Sequence, residues 1–123
     1  MDGKLSVTGS RFISVNMFML GHSLETVRIP PDLTARVEGK STWGRKGLLV
    51  HLTAGFIDPG FEGQITLELK NLSNKPIRLE VGTPIAQLSF SRLSKPARRP
   101  YGHPELNSHY QGQLGATPSY EPK

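Results

Sequence analysis

Apolar and polar side chains alternate through most of the chain up to Leu93. In residues 33–39, Ala35 and Val37 alternate with Arg36 and Glu38. In residues 64–72, Ile65, Leu67 and Leu69 share one parity while Gln64, Thr66, Glu68 and Lys70 share the other. A period of two is that of a strand with one face against a core. Both stretches are therefore expected as half-buried strands, with Glu68 pointing away from the apolar layer. Residues 48–54 set Leu48, Val50, Leu52 and Ala54 against Leu49, His51 and Thr53, a third strand in which His51 reads as a hydrogen-bonded interior or interface histidine. Residues 11–20 (RFISVNMFML) read as one largely buried strand, and 24–29, 76–81 and 84–93 as further strands.

Turn residues separate these runs: Gly21-His22-Ser23, Pro30-Pro31, Asp58-Pro59-Gly60, Asn71 to Lys75 and Gly82-Thr83. Proline cannot donate to a ladder, and Gly, Asn and Asp accept turn geometry at little cost. Short strands with turn signals every ~8–12 residues indicate an all-β sandwich or barrel. After Leu93 the pattern stops. Lys95, Arg98 and Arg99 accompany Pro96 and Pro100, and few aliphatic residues follow. Such a tail cannot build a core, so it is expected to be a disordered end or an arm that orders on a ligand or a neighbouring subunit. Its basic residues read as a solvated connector.

The chain has 123 residues, enough for one domain, and its 13 Gly and 10 Pro suit a turn-rich β fold. A hydrophobic fraction of 36% is low and fits a domain that completes its core by oligomerising. The absence of cysteine excludes a disulfide framework and a thiolate metal site, and a reducing compartment, the cytoplasm, is expected. No apolar run approaches the ~18 residues of a membrane span, and no signal-peptide pattern begins the chain, so a soluble protein is expected. A net charge of +5 suits an anionic partner without choosing among nucleotide, nucleic acid and acidic surface.

Chemistry concentrates between Lys40 and Glu68 (KSTWGRKGLLVHLTAGFIDPGFEGQITLE). Lys40, Ser41, Thr42 and Arg45 supply cations and hydroxyls beside Gly44 and Gly47, where backbone can approach a phosphate closely. Asp58 follows in a Pro/Gly turn and Glu68 in a strand. Each also has a plainer reading. Ser41 and Thr42 could cap a short helix over 43–46, Arg45 could be a surface cation, Asp58 a turn former, and Glu68 a solvated strand carboxylate.

The stretch GKSTWGRKGLLVHLTAGFIDPGFEGQITLEL, followed by VGTPIAQLSFSRLSKPA and RPYGHPELNSHYQGQLGATPS, resembles the dCTP deaminases. The wording TAGFIDPGF, with Gly55-Phe56 where the monofunctional type often has His-Arg, is closer to the bifunctional dCTP deaminase/dUTPase branch. The resemblance covers Val27 to Ser119 and implies a dUTPase-like β-sandwich or distorted barrel of the β-clip type. It implies a β domain over residues 1–94, entered without the N-terminal strands that the deaminases usually carry. Residues 95–123 would then be a flexible C-terminal arm closing as a lid over the nucleotide site.

For the site, the resemblance implies Glu68 as the general base that takes a proton from water and later delivers it to leaving ammonia. Ser41 and Arg45 would position that water. A partly desolvated carboxylate can serve as both base and acid. Thr53 and Ala54, with Ile65 and Thr66, would frame the base, and Asp58 would accept from the deoxyribose 3′-hydroxyl. Lys40, Ser41 and Thr42, with Tyr101, Gln113 and His109 of the tail, would meet the triphosphate. Mg²⁺ would arrive on the phosphates. Zinc is not expected, because a zinc deaminase needs a cysteine ligand pair. The implied partners are dCTP and dUTP and two further copies in a homotrimer with shared sites. No membrane is expected, and nucleic acid is disfavoured because aromatic interleaving near the basic stretch is poor. The leading reading is deamination of dCTP to dUTP. The alternatives are a bifunctional enzyme that also cleaves dUTP to dUMP, and a shortened, non-catalytic nucleotide- or nucleic-acid-binding module.

Overall fold

The computed structural model describes residues 5–6, 12–53, 55–106 and 108–119. Nine strands, one short α-helix and a single 3-10 turn (Pro104–Leu106) occur among them, in the order β1 (Leu5–Ser6), β2 (Phe12–Ile13), β3 (Phe18–Arg28), β4 (Leu33–Gly39), α1 (Ser41–Gly44), β5 (Leu48–Leu49), β6 (Phe56–Ile57), β7 (Glu62–Asn71), β8 (Ile77–Arg78) and β9 (Ala86–Arg92), with the 3-10 turn last. They form a four-stranded sheet β1-β3-β7-β5, a three-stranded sheet β6-β4-β9 and a small ladder β2-β8. Every pairing is antiparallel. The core draws on all three. Leu67 and Leu69 come from β7, Ala35 and Val37 from β4, and Ile13 and Ile77 from β2 and β8.

β7 is the strand whose alternation the sequence carries most plainly. Gly63, Ile65, Leu67, Leu69 and Asn71 are buried while Gln64, Thr66, Glu68 and Lys70 keep partial exposure. Burying each large aliphatic contributes roughly 1.5–3 kcal/mol, which fixes the register and hence the direction of Glu68. β4 spans the expected residues 33–39 and pairs with β9 along its length, Leu33 opposite Arg92 and Gly39 opposite Ala86.

Other expected boundaries move. The strand expected over 11–20 is two strands, because Asn16 adopts φ 63 and Met17 N–H donates to Ser14 O at 3.0 Å, making a turn. Asn accepts that left-handed conformation more readily than most residues. The turn expected at Gly21-His22-Ser23 is instead the interior of β3. A bulge between His22 and Thr26 absorbs the irregularity. There the buried Ser23 hydroxyl donates to Glu25 O at 2.7 Å and accepts Ile65 N–H at 2.9 Å. The strands expected over 48–54, 76–81 and 84–93 shorten to β5, β8 and β9.

The tail does not stand away from the domain. The edge of β7 opposite β3 is shared. Val50 O accepts Glu68 N–H at 3.2 Å, whereas Gln113 O accepts Gln64 N–H at 2.9 Å. Gly115 N–H donates to Gln64 Oε1 at 2.6 Å and Thr117 N–H to Thr66 Oγ1 at 3.1 Å. Residues 111–117 thus have backbone and side-chain partners on β7 of the same chain. An open edge of β7 offers them backbone partners within the same chain.

Candidate functional site

Where the two lodgers on the β7 edge meet, a cavity of about 520 Å³ opens, lined by Glu68, Thr66, Ile65, Thr53, His51 and Asp58 among others. Tyr101, Tyr110 and Gln113 of the tail close one side, and Phe18 and Leu20 of β3 form an apolar wall. Register explains the wall: Phe18 lies opposite Lys70 and Leu20 opposite Glu68, so all four share one face.

Glu68 is held from the residue 50–53 side. Leu52 N–H donates to Oε1 at 3.1 Å, the Thr53 hydroxyl donates to the same oxygen at 3.4 Å, and His51 Nε2 lies 3.5 Å from it. Among the described residues these contacts all fall on Oε1, which orients the carboxylate and leaves Oε2 for a water or a substrate. Side-chain exposures of 29% for Glu68 and 20% for His51 put both at the cavity surface. His51, read from the sequence as a hydrogen-bonded interior or interface histidine, meets Glu68 through Nε2 only. Its Nδ1 is buried and has no hydrogen-bond partner among the described residues. A buried polar atom without a partner is uncommon in a folded protein.

Asp58 projects from the turn before β7, where Phe61 N–H donates to Asp58 O at 3.1 Å. Phe61 underlies it and tilts against Tyr101 with ring centroids 5.6 Å apart. Tyr101 is anchored by its own N–H to Pro59 O at 2.6 Å and accepts Tyr110 N–H at its hydroxyl at 2.9 Å. Burial pushes the Tyr101 hydroxyl above its ordinary 10.0; the Tyr110 N–H opposes the rise and the Asp58 carboxylate adds to it. Tyr101 therefore stays a neutral phenol at physiological pH. Gln113 faces the cavity, but its side chain donates to Gln64 O at 2.7 Å rather than standing free for a phosphate.

The structure brings together Glu68, Thr53, Asp58, Ile65, Thr66, Tyr101 and Gln113. It does not bring Lys40, Ser41, Thr42, Arg45 or His109 to that cavity. Ala54 lies outside the described residues. The first four sit on α1 and its flanks, where Ser41 O accepts Arg45 N–H at 2.9 Å and Ser41, Thr42 and Arg45 are exposed. The capping reading also fails in detail: the cap position is Lys40, and no side chain caps the helix. Gly47 does not open backbone to a ligand either. A Cβ there would lie 2.6 Å from Ser73 Cβ at φ 91, so its freedom serves close packing against the 72–73 turn. His109 is exposed and stacks edge-on with Tyr110 at 6.0 Å.

His51, Phe18, Leu20, Phe61 and Tyr110 are cavity residues that sequence reading missed. Parity could have flagged Phe18, but the pairing of residues 50–53 with Glu68 is a long-range fact invisible along the chain. Among the described residues no cluster of three or more metal-ligating side chains occurs, and no helix is long and apolar enough to cross a membrane.

The antiparallel sheets, with the tail along the β7 edge beside the cavity, have the dUTPase-like β fold. The structure of EIAV dUTPase is similar at a TM-score of 0.63, with 28% identity, covering 80% of each chain. Staphylococcus bacteriophage 80alpha dUTPase shares the fold at a TM-score of 0.60 and 18% identity, covering 76% of this chain and 77% of that one. Within that class the chain belongs to the dCTP deaminase-like family, whose model matches residues 4–93. Curated relatives named "dCTP deaminase, dUMP-forming" are 59% identical in Mycobacterium sp. (strain KMS) and 57% identical in Bifidobacterium longum (strain NCC 2705), each over 102 residues. Those alignments take in 83% of this chain but 54% and 53% of the relatives, so the chain spans about half the length of the curated relatives it matches.

Proposed function

We propose that this chain carries the nucleotide site of an enzyme that converts dCTP to dUMP, releasing ammonia and diphosphate. The observation that carries the reading is Glu68, held by Leu52 N–H and the Thr53 hydroxyl on one oxygen at the floor of a cavity that Asp58 also lines. In that reading Glu68 takes a proton from water, the hydroxide adds to C4 of cytosine, and the tetrahedral intermediate forms beside fixed dipoles. Glu68 then returns the proton to the exocyclic nitrogen, which leaves as ammonia. Asp58 accepts from the sugar 3′-hydroxyl and helps orient a second water toward the α-phosphorus, from which diphosphate departs. The dUMP-forming names of the relatives favour this bifunctional reading over deamination that stops at dUTP.

Ser41 and Arg45 reach this chemistry only if a second copy presents its α1 at the cavity, and a homotrimer is proposed for that reason. Exposed apolar side chains such as Phe12, Phe56 and Leu72 are consistent with copies packing together. Residues 95–119 act as the lid, contributing Tyr101 and Gln113. The cavity's hard donors, Asp58 and Glu68, stand at the sugar and base ends. Mg²⁺, which keeps waters and phosphate oxygens as ligands, would ride on the triphosphate, and it would supply charge neutralisation there.

The test is to incubate the protein separately with dCTP and dUTP in Mg²⁺ and to identify products by chromatography while light scattering records the mass. Ammonia, dUMP and diphosphate from dCTP, with a particle of three 13.5 kDa chains, are expected. Accumulation of dUTP without dUMP would remove the second step. No ammonia at all, from a well-folded protein, would remove the enzyme reading.

A further inference from the structure

We propose that Gln111 is a positioning residue that fastens the tail to the turn carrying Asp58, so that tail closure and presentation of Asp58 to the sugar are one event. The inference rests on the reading of the cavity as a deoxynucleotide site. Gln111 does not line the cavity and acts through residues that do. Its side-chain amide ties its own segment to two others, the turn at residues 60–62 and Tyr101. Oε1 accepts Glu62 N–H at 3.0 Å, and Nε2 donates to Gly60 O at 3.0 Å and toward Tyr101 O at 3.4 Å.

Backbone contacts on either side show that the joint is built rather than incidental. Gly112 N–H donates to Glu62 O at 2.7 Å and Tyr101 N–H to Pro59 O at 2.6 Å. A Cβ on Gly60, at φ 89, would lie 2.4 Å from Pro100 Cβ, and one on Gly102 would lie 2.5 Å from Gln111 Nε2. The tail can reach the turn because Gly60 lacks a side chain, and Gly102 leaves the Gln111 amide its place. Asp58 shares the same short turn, which Gly60 N–H ties to Ile29 O at 2.8 Å. A turn held on one side by the core and on the other by the tail presents its carboxylate in one direction only while the tail is down. An amide is the group the joint requires, because it offers a donor and an acceptor at fixed spacing, whereas a carboxylate only accepts and alanine does neither.

The experiment compares the wild-type chain with Gln111→Ala and Gln111→Glu. Amide hydrogen exchange at Glu62, Tyr101 and Gly112 is expected to quicken about tenfold in Gln111→Ala, the effect of losing one ordinary hydrogen bond; in Gln111→Glu the carboxylate still accepts Glu62 N–H, so only Tyr101 and Gly112 quicken, while Leu67 stays unchanged as a folding control. Unchanged exchange at all three amides in Gln111→Ala, or wild-type protection of Tyr101 and Gly112 in Gln111→Glu, would overturn the joint. Turnover of dCTP is then set against that of 2′,3′-dideoxy-CTP. The preference of kcat/KM for dCTP is expected to fall about fivefold to tenfold in Gln111→Ala, because only the substrate with a 3′-hydroxyl loses a contact. An equal loss for both substrates would overturn the link to Asp58. If wild-type protein turns over neither, the proposed function fails, and the exchange data still decide whether Gln111 joins tail to turn.

Discussion

β7 and the α1 turn carry the two halves of the expected catalytic set, and the fold treats them in opposite ways. β7 lies between β3 and a shared edge, so its alternation decides where every side chain goes. Once Leu67 and Leu69 are buried to 1% and 0% exposure, Glu68 has to face the cavity. In α1 none of the residues is buried, so the directions of Ser41 and Arg45 have no meaning within one chain. A strand buried on one face can aim a catalytic group alone. A solvent-facing turn can aim one only at another molecule.

The sharpest way to break that comparison is subunit complementation between two inactive variants. Glu68→Gln keeps the shape and a hydrogen-bonding oxygen but removes the base, and deamination is expected to fall about 10²–10⁴-fold, the usual worth of general acid–base catalysis. Arg45→Ala is expected to fall by a similar order if its guanidinium holds the water or carboxylate in a neighbour's cavity. Mixing the two inactive proteins under conditions that exchange subunits should restore part of the activity, because some sites then pair an intact Glu68 with an intact Arg45. Continued inactivity of the mixture, with exchange verified by mass, would mean that α1 serves no cavity but its own chain's surface.

The same contrast explains how much could be read before the fold was known. Period-two strands carry their own geometry: the limits of β4, the buried face of β7 and the direction of Glu68 followed from alternation alone. Asp58 followed from a Pro/Gly turn that has to lie at a strand end. His51, Phe18 and Leu20 did not follow, because each reaches the cavity through a pairing across many residues of sequence, and alternation says which face a residue takes without saying which strand lies opposite. The β3 bulge hid behind Gly21-His22-Ser23, where a buried serine hydroxyl, bonded on both sides, substitutes for the ladder. Spacing within Lys40 to Arg45 suggested a phosphate cradle; α1 leaves these residues unburied and away from this chain's own cavity, so one chain alone does not reveal what they face.

Stability separates the two regions next. Leu69→Ala removes a fully buried side chain beneath the cavity and is expected to cost about 2–5 kcal/mol. Thr42→Ala, on the exposed helix, is expected to change stability by less than about 0.5 kcal/mol. Urea unfolding of both variants measures the difference. Near-equal losses would mean that α1 is packed more deeply, in the assembly, than in the single chain.

The smallest expected effect concerns pH and the tail. Tyr101 has its pKa raised in the fold, chiefly by burial and further by the Asp58 carboxylate. A group whose folded value lies above its unfolded one favours the protonated form in the fold, so its contribution is complete below the ordinary 10.0 and is lost as pH climbs through the higher folded value. Docking of the tail on the Asp58 turn is therefore expected to be flat across the neutral range and to loosen only in strong alkali. Tyrosine absorbance and amide exchange at Tyr110, whose N–H the phenol oxygen accepts, should report the same transition. Tyr101→Phe should remove that alkaline step while leaving Glu68, held from Leu52 and Thr53, undisturbed. If the variant kept the step, the group that titrates would lie elsewhere, and the tail would be held by its backbone and Gln111 alone.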